Sequence, residues 1–370
     1  MSPMLQRSCG EAGEEMARWK SIPKIELHAH LNGCVRPSTL FELASEEGRT
    51  GTTSVGDIGY LIREGFKSNA SLADCFRLFP LIHGLTTDHA IVTRITKEAI
   101  EDFFADNVVY LELRTTPKRN EAHGMTKRSY VEAVLAGFEA AGVSPCSKNG
   151  LQRSEVQAKP NRHVRLLLSI DRRESAEAAM DTVLLAWELR NRGVVGIDLS
   201  GNPTVGQWQT FLPALNWAKQ RGMPLTLHCG EIFNSEEVRS MLAIQPQRLG
   251  HVCCLEKPEW SALLESNIPV EICLTSNVRS RSVRSIYDHH FAALHKAKHP
   301  TILCTDDPGL FSTCLSHEYS LAATCFGLSE EDILRMGKNA VEYTFAEEQL
   351  KQTLRKIFEE AMTKTADLQQ

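Results

Sequence analysis

Eight short apolar segments rich in β-branched residues recur along the chain, and amphipathic helical patterns separate them. This alternation is typical of a parallel α/β fold whose strands are covered by helices. Eight strand–helix units in one chain of 370 residues predict a single TIM (β/α)8 barrel. The predicted strands are Ile25–His30, Val108–Pro117, Val164–Asp171, Val194–Gly201, Pro224–Glu231, Arg248–Val252, Pro269–Asn277 and Thr301–Pro308.

The predicted strands are unevenly spaced at one place, because about 77 residues separate the first from the second. We therefore expect a helical insertion over 31–107, which would cover the C-terminal mouth of the barrel as a lid. The barrel domain itself is expected over 22–361, with an N-terminal extension over 1–21 and a tail over 362–370. The polar segment 143–163 predicts a surface loop.

Composition excludes several classes of protein. The formal net charge is −5 and no basic stripe is present, so we expect no nucleic-acid partner. No apolar run reaches the 18 residues of a membrane span, and the first twenty residues lack a signal-peptide pattern, so we expect a cytoplasmic protein without a membrane partner. Several of the 11 cysteines lie within apolar strands, which fits a reducing compartment. No exposed apolar stripe is legible, and we expect a monomer.

Polar residues stand at the C-terminal ends of several predicted strands, which is where a barrel builds its active site. His28 and His30 are two residues apart on the first strand, so both side chains project into the barrel. Alone, this pair fits a structural role as well as a ligand role. With His228 on strand five and a carboxylate from Asp306 or Asp307, it forms a set of three nitrogens and one oxygen that suits a zinc ion.

The nitrogen-rich set favours zinc, although Fe²⁺ or Co²⁺ would fit the same ligands. The fourth predicted strand has no lysine that could bridge two metals, so we expect one Zn²⁺ per chain. A water on that ion would have its pKa lowered from about 15.7 towards about 7. His251 and Glu231 are then candidates for proton transfer, with His251 acting on the water and Glu231 protonating a ring nitrogen. Alternatively, Glu231 orients His228 and His251 is a packing residue.

Five motifs resemble the adenosine/AMP deaminase family: HAHLNG, TLHCGE, RLGHV, LTSN and CTDDP, in the family's order between about residues 22 and 345. The resemblance implies a metal-dependent hydrolase barrel with one zinc, which removes the amino group at purine C6 with water. It implies the zinc ligands His28, His30, His228 and Asp306, the proton donor Glu231 to purine N1, His251 beside the hydroxide, and substrate contacts from His30, Asp307 and the Gly201 backbone N–H.

Two departures from the family pattern bear on the substrate. Asn32 stands where adenosine deaminases have an aspartate, and the loss of that charge removes repulsion towards a 5′-phosphate. Val252 replaces a glycine beside His251 and adds bulk there. The hydroxyls, backbone and lysine of the segment Thr115, Thr116, Pro117 and Lys118 could hold a phosphate, although basic residues after a strand are often only solvated.

The motifs ELRTTPKR, GMTKRSY, DRRE and DLSGNPTVGQ are similar to the adenosine-deaminase-like subgroup, which acts on N6-alkylated nucleotides. This resemblance adds His83 as a substrate contact and Asp171 near the sugar or phosphate. It implies conversion of a purine nucleoside monophosphate, N6-methyl-AMP, to IMP and methylamine. The alternatives are an adenosine or AMP deaminase, a metal-dependent phosphoesterase, and a non-catalytic metal-binding barrel.

Overall fold

A computed structural model of the protein describes residues 9–48, 72–143 and 162–367. Eight parallel strands form one sheet in chain order, and the sheet curls into a nearly closed barrel. This confirms the predicted fold class. The strands are β1 Lys24–His30, β2 Val108–Thr115, β3 His163–Asp171, β4 Val194–Ser200, β5 Leu225–Cys229, β6 Arg248–His251, β7 Val270–Ile272 and β8 Thr301–Leu303.

The barrel closes through residues that follow β8 rather than through β8 itself. Asp306 bridges to Ala29 of β1 in parallel fashion. The Asp306 N–H donates to the His28 carbonyl at 2.8 Å, and the His30 N–H donates to the Asp306 carbonyl at 2.9 Å. The backbone bonds that close the barrel therefore hold Asp306 beside the two histidines of β1.

Helices surround the sheet, and each strand leads into the next through at least one helical segment. The predicted helices over 174–192 and 207–221 are present, and Gly193 and Gly222 follow them with positive φ angles of 99° and 73°. The helices are α1 Cys9–Ser21, α2 Pro37–Gly48, α3 Leu72–Leu85, α4 His89–Ala105, α5 Lys127–Ala140, α6 Ala176–Leu189, α7 Trp208–Gln220, α8 Ser235–Ile244, α9 Lys257–Ser266, α10 Leu274–Arg279, α11 Phe291–Lys296, α12 Pro308–Phe311, α13 Leu315–Phe326, α14 Glu330–Tyr343 and α15 Glu348–Asp367.

Two differences from the predicted boundaries concern the seventh strand and the last helix. The seventh strand ends at Ile272, and the LTSN motif begins α10 instead of extending the strand. This helix turns the Ser276 and Asn277 side chains into the barrel mouth, which an extended strand would send to opposite faces. The last helix continues to Asp367, into the segment assigned to a tail, and Ala361 and Met362 extend the buried face of Leu350, Leu354 and Phe358 to the start of that segment.

The segment between β1 and β2 contains α2, α3 and α4, as the helical pattern predicts. Residues 49–71 of the predicted insertion, and residues 144–161 of the predicted loop over 143–163, lie outside the described residues. The predicted extension over 1–21 includes α1, which packs against α13. Across the described ranges, none of the helices combines the length and the apolar character that a bilayer span needs.

Candidate active site

A cleft opens at the C-terminal ends of the strands and encloses about 1060 Å³ when measured out to its mouth. Most of the residues predicted for the site, from the strand ends or from the family resemblance, line it. They are His30, Asn32, His83, Thr115, Thr116, Asp171, Gly201, His228, Glu231, His251, Asp306 and Asp307.

Two histidines are oriented by carboxylates on neighbouring strands. His28 is fully buried on β1, and its Nδ1–H donates to Glu271 Oε2 at 2.6 Å. His228 on β5 donates in the same way from Nδ1 to Asp198 Oδ1 at 3.0 Å. Since a neutral imidazole carries one N–H, both rings present the Nε2 lone pair to the cleft. A carboxylate behind each ring is the usual support for a metal-binding histidine.

The ligand atoms at the base of the cleft lie close together. Asp306 Oδ1 is 3.3 Å from His28 Nε2 and 3.4 Å from His30 Nε2, and His30 Nε2 is 3.1 Å from His228 Nε2. Ligands about 2.0–2.1 Å from a tetrahedral metal are separated by about 3.3 Å. His28 Nε2 is buried and has no hydrogen-bond partner. The group can therefore hold a metal ion.

The structure distinguishes the two neighbouring aspartates. Asp306 Oδ1 faces the histidines, and its Oδ2 accepts a hydrogen bond from Ser276 Oγ at 2.6 Å. Asp307 packs against Gly33, where a Cβ atom would come within 1.6 Å of the carboxylate. Burial and the charge of Asp306 raise the pKa of Asp307 well above its usual range, and its Oδ1 has no hydrogen-bond partner. Asp306 is thus the one of the two carboxylates that is placed to bind a metal ion together with the histidines, and Asp307 lines the cleft.

His251 and Glu231 lie at the edge of this group. His251 Nε2 is 4.0 Å from both Glu231 Oε1 and Asp306 Oδ2. By distance alone, a second set of four residues that includes His251 could hold a metal ion: His28, His228, His251 and Asp306. However, Asn277 Nδ2 donates to His251 Nδ1 at 3.0 Å. The proton of a neutral His251 is then on Nε2, which makes this nitrogen a hydrogen-bond donor rather than a ligand. Burial raises the pKa of Glu231.

A network of buried charges lies beneath the histidines. Glu271 accepts from Arg114 at 2.8 Å and from Arg248 at 2.6 Å, and Arg248 also donates to Glu112 at 2.6 Å. Arg114 is 3.3 Å from Asp198 as well. None of these five side chains is exposed. Because each carboxylate has a cationic partner, Glu271 and Asp198 stay ionised and can orient the histidines.

Comparison with known proteins agrees with this geometry. The family model described as adenosine deaminase matches residues 23–361. The chain belongs to the adenosine deaminase family. It is 53% identical over 351 residues to a protein named N6-mAMP deaminase from Arabidopsis thaliana, which covers 92% of this chain and 98% of the relative.

Other relatives extend this similarity to animals and to solved structures. This deaminase is 38% identical over 348 residues to N6-Methyl-AMP deaminase of Homo sapiens, covering 91% of this chain and 93% of the relative. The crystal structure of arabidopsis ADAL complexed with GMP aligns with a TM-score of 0.87 at 52% identity, covering 93% of this chain and 98% of that one.

The predicted substrate residues fall into two groups in this deaminase. Near the insertion, Asn32 Nδ2 donates to Thr86 Oγ1 at 3.1 Å, and Lys118 Nζ donates to the same oxygen at 3.0 Å. Burial and the charge of Arg173 lower the pKa of Lys118 to about 7. His83 lines the cleft from α3, and burial lowers its pKa to about 3. Neither Lys118 nor Thr86 lines the cleft, and Thr86 joins Lys118 to Asn32, which does.

The second group lies on β2, β3 and β4. Thr115 and Thr116 both line the cleft, although the Thr115 hydroxyl is hydrogen-bonded to Tyr130 Oη at 2.7 Å, and buried Pro117 does not line it. Asp171 forms an ion pair with Arg173 at 2.6 Å at the rim. Gly201 has a φ of 101°, and a Cβ there would come within 3.0 Å of the Asp171 carboxylate.

Several residues of the site were missed by the sequence analysis. Glu271, Asp198 and Ser276 orient the metal-binding group, and Thr86 joins Asn32 to Lys118. A charged residue inside an otherwise apolar strand is the one signal that could have identified Glu271 and Asp198. Thr86 lies after α3 and carries no such signal.

Proposed function

We propose that this deaminase hydrolyses N6-methyl-AMP to IMP and methylamine and that it uses one zinc ion. The observation that carries the proposal is the group of four close ligand atoms beside Glu231 at the base of the cleft. The activity named for the similar plant and human proteins supports the substrate. The GMP bound in a solved relative supports a nucleoside monophosphate.

In this proposal His28, His30, His228 and Asp306 hold the zinc. When bound, zinc supplies a water nucleophile at neutral pH, because it lowers the pKa of that water from about 15.7 to about 7. Glu271 and Asp198 keep the Nε2 lone pairs of His28 and His228 directed at the cleft. Three nitrogen ligands and one oxygen ligand are typical of a zinc site.

Glu231 and His251 handle the protons of the reaction. Because burial raises the pKa of Glu231, this carboxyl retains its proton nearer neutral pH and can donate it to purine N1 as water adds to C6. The Nε2–H of His251 points into the same space and can hold the incoming oxygen by a hydrogen bond. The Glu231 carboxylate then takes the hydroxyl proton of the C6 adduct and passes it to N6, so that the C6–N6 bond breaks, methylamine leaves and the carbonyl of IMP forms.

The phosphate end of the substrate is assigned to the side of the cleft that Asn32 and His83 line, with Thr86 and Lys118 directly behind Asn32. Asn32 is neutral, and Lys118 is a buried amine that no carboxylate contacts among the described residues. A phosphate dianion nearby would restore the charged form of Lys118. Leu31, Phe79 and Phe311 are the apolar lining residues available to cover an N6-methyl group.

The test is a turnover assay of the zinc-loaded protein on N6-methyl-AMP, AMP and adenosine at equal concentrations, with identification of the released amine. We expect methylamine from the methylated nucleotide at a rate well above ammonia release from the other two. Efficient ammonia release from AMP or adenosine would instead assign the unmethylated purine as substrate. No amine from any of the three would contradict deamination.

A further inference from the structure

Two consecutive histidines outside the strands support His251 at two points, its backbone carbonyl and its ring. His289 and His290 precede α11 in the connection between β7 and β8, and neither lines the cleft. Their rings are stacked with centroids 4.4 Å apart. His290 Nε2 donates to the His251 carbonyl at 2.6 Å, whereas His289 acts on the His251 ring through Asn277.

The direction of each hydrogen bond in this chain follows from one backbone amide. The Phe291 N–H can only donate, and it donates to His289 Nδ1 at 3.1 Å. Burial lowers the pKa of His289 to about 2, so the ring is neutral and its single proton is on Nε2. This Nε2–H donates to Asn277 Oδ1 at 3.2 Å. The amide is thereby oriented so that its Nδ2 donates to His251 Nδ1 at 3.0 Å.

The result for His251 is opposite to that for His28 and His228. Their Nδ1–H groups donate to carboxylates, so their Nε2 atoms present lone pairs to the cleft. His251 Nδ1 accepts from an amide instead, so its Nε2 presents a proton. All three Nε2 atoms lie close together. The partner of each Nδ1 atom, a carboxylate for His28 and His228 and an amide for His251, therefore determines which Nε2 can bind a metal ion and which can donate a hydrogen bond.

The backbone at this position also needs support. His251 and Val252 have φ angles of 66° and 51°, which are unfavourable for residues other than glycine and most of all for a β-branched side chain. The His290 bond to the His251 carbonyl and the Val252 N–H bonds to the Cys229 and Gly250 carbonyls, both 2.9 Å, hold this bend. His251 is therefore fixed both in its backbone and in its ring.

We propose that His289 is a positioning residue which, through Asn277, keeps His251 in the tautomer with its proton on Nε2. This inference deepens the proposed function and rests on it for the role of His251 in turnover. The part of the inference that concerns the tautomer does not depend on the proposed function, because the tautomer is a property of the folded protein. A tautomer that is wrong at one catalytic histidine can remove most of the rate without disturbing the fold.

Asn277→Asp tests the proposal because a carboxylate has the shape of the amide but can only accept. His251 would then donate from Nδ1 and present a lone pair from Nε2. We expect kcat for N6-methyl-AMP to fall about a hundredfold, with the metal content unchanged. His289→Phe, outside the cleft, is expected to lower kcat about tenfold with little change in KM. His289→Gln, which keeps a donor near the Nε2 position, is expected to restore most of that loss.

His299→Gln is the matched control, since His299 is also buried and donates from Nε2 to a backbone carbonyl, that of Ile268 at 2.8 Å. This substitution should lower the free energy of unfolding without changing kcat. The direct readout is long-range ¹H–¹⁵N NMR of the zinc-loaded protein labelled in histidine, with the His251 signals assigned by His251→Gln. We expect the proton on Nε2 in the wild type and on Nδ1 in Asn277→Asp.

Each outcome of this experiment is decisive. A wild-type His251 with its proton on Nδ1 would overturn the inference, whether or not the protein is active. The inference also fails if the tautomer changes in His289→Phe but kcat does not, or if His289→Gln is no better than His289→Phe. Absence of turnover on every purine tested would overturn the proposed function, and the NMR measurement would still decide the tautomer.

Discussion

The substitution Asn32→Asp would place a negative charge where the phosphate of the substrate is proposed to bind. Asn32 Nδ2 and Lys118 Nζ both donate to Thr86 Oγ1, at 3.1 and 3.0 Å. The new carboxylate would thus lie within about 6 Å of the Lys118 ammonium group. At this distance the attraction between two opposite unit charges is about 3 kcal/mol at an effective dielectric constant of about 20. The new carboxylate would form an ion pair with Lys118 in place of the phosphate. A difference of about 3 kcal/mol corresponds to about a hundredfold in affinity.

The assay compares kcat/KM for N6-methyl-AMP and for the nucleoside N6-methyladenosine. In Asn32→Asp we expect the ratio of nucleotide to nucleoside to fall about a hundredfold, mainly through KM for the nucleotide. Asn32→Ala is the control, since it removes the hydrogen bond to Thr86 without adding charge, and it should change the ratio much less. Equal losses for both substrates in Asn32→Asp, or an equal effect of Asn32→Ala, would refute the placement of the phosphate.

Three further predictions concern proton transfer, metal binding and stability. Glu231→Gln should lower kcat by about 10²–10⁴-fold at unchanged zinc content, whereas Glu236→Gln on the exposed face of α8 should not. Asp198→Asn should weaken zinc binding about 10–100-fold in a chelator competition, because the His228 Nδ1–H would then donate to a neutral amide oxygen instead of a carboxylate. Burial raises the pKa of Glu318 to about 7 from 4.5, so the stability that its protonated form supports is lost as the pH rises through about 7. The free energy of unfolding of Glu318→Gln, measured by thermal unfolding, should therefore rise relative to that of the wild type between pH 5 and pH 8, by an amount on the order of 3 kcal/mol.

The barrel was predictable because each strand is a short apolar run and each connection has a helical period. Buried strands read as apolar runs, and amphipathic helices show the 3.6-residue repeat, so both signals are local. The histidines at strand ends were predictable for the same reason, since the ends of parallel strands converge. His28 and His228 are two hundred positions apart in sequence, and strand order alone brings them to one site.

The supporting residues were not predictable, because they act through contacts distant in sequence. Glu271 is 243 positions from His28, and nothing near it distinguishes an orienting carboxylate from any other buried charge. The choice between Asp306 and Asp307 depends on the backbone bridge to β1, which closes the barrel beyond the end of β8. The tautomer of His251 depends on an amide that a helix, rather than the expected strand, turns towards it.

The most direct test of the account is the reaction of N6-methyl-AMP in ¹⁸O-labelled water, with mass analysis of the purine product and quantification of methylamine. Hydrolysis at C6 predicts one ¹⁸O atom in the base of the IMP formed and one methylamine for each IMP. Unlabelled IMP, label in the phosphate instead of the base, or a product that retains the methylamino group would contradict it.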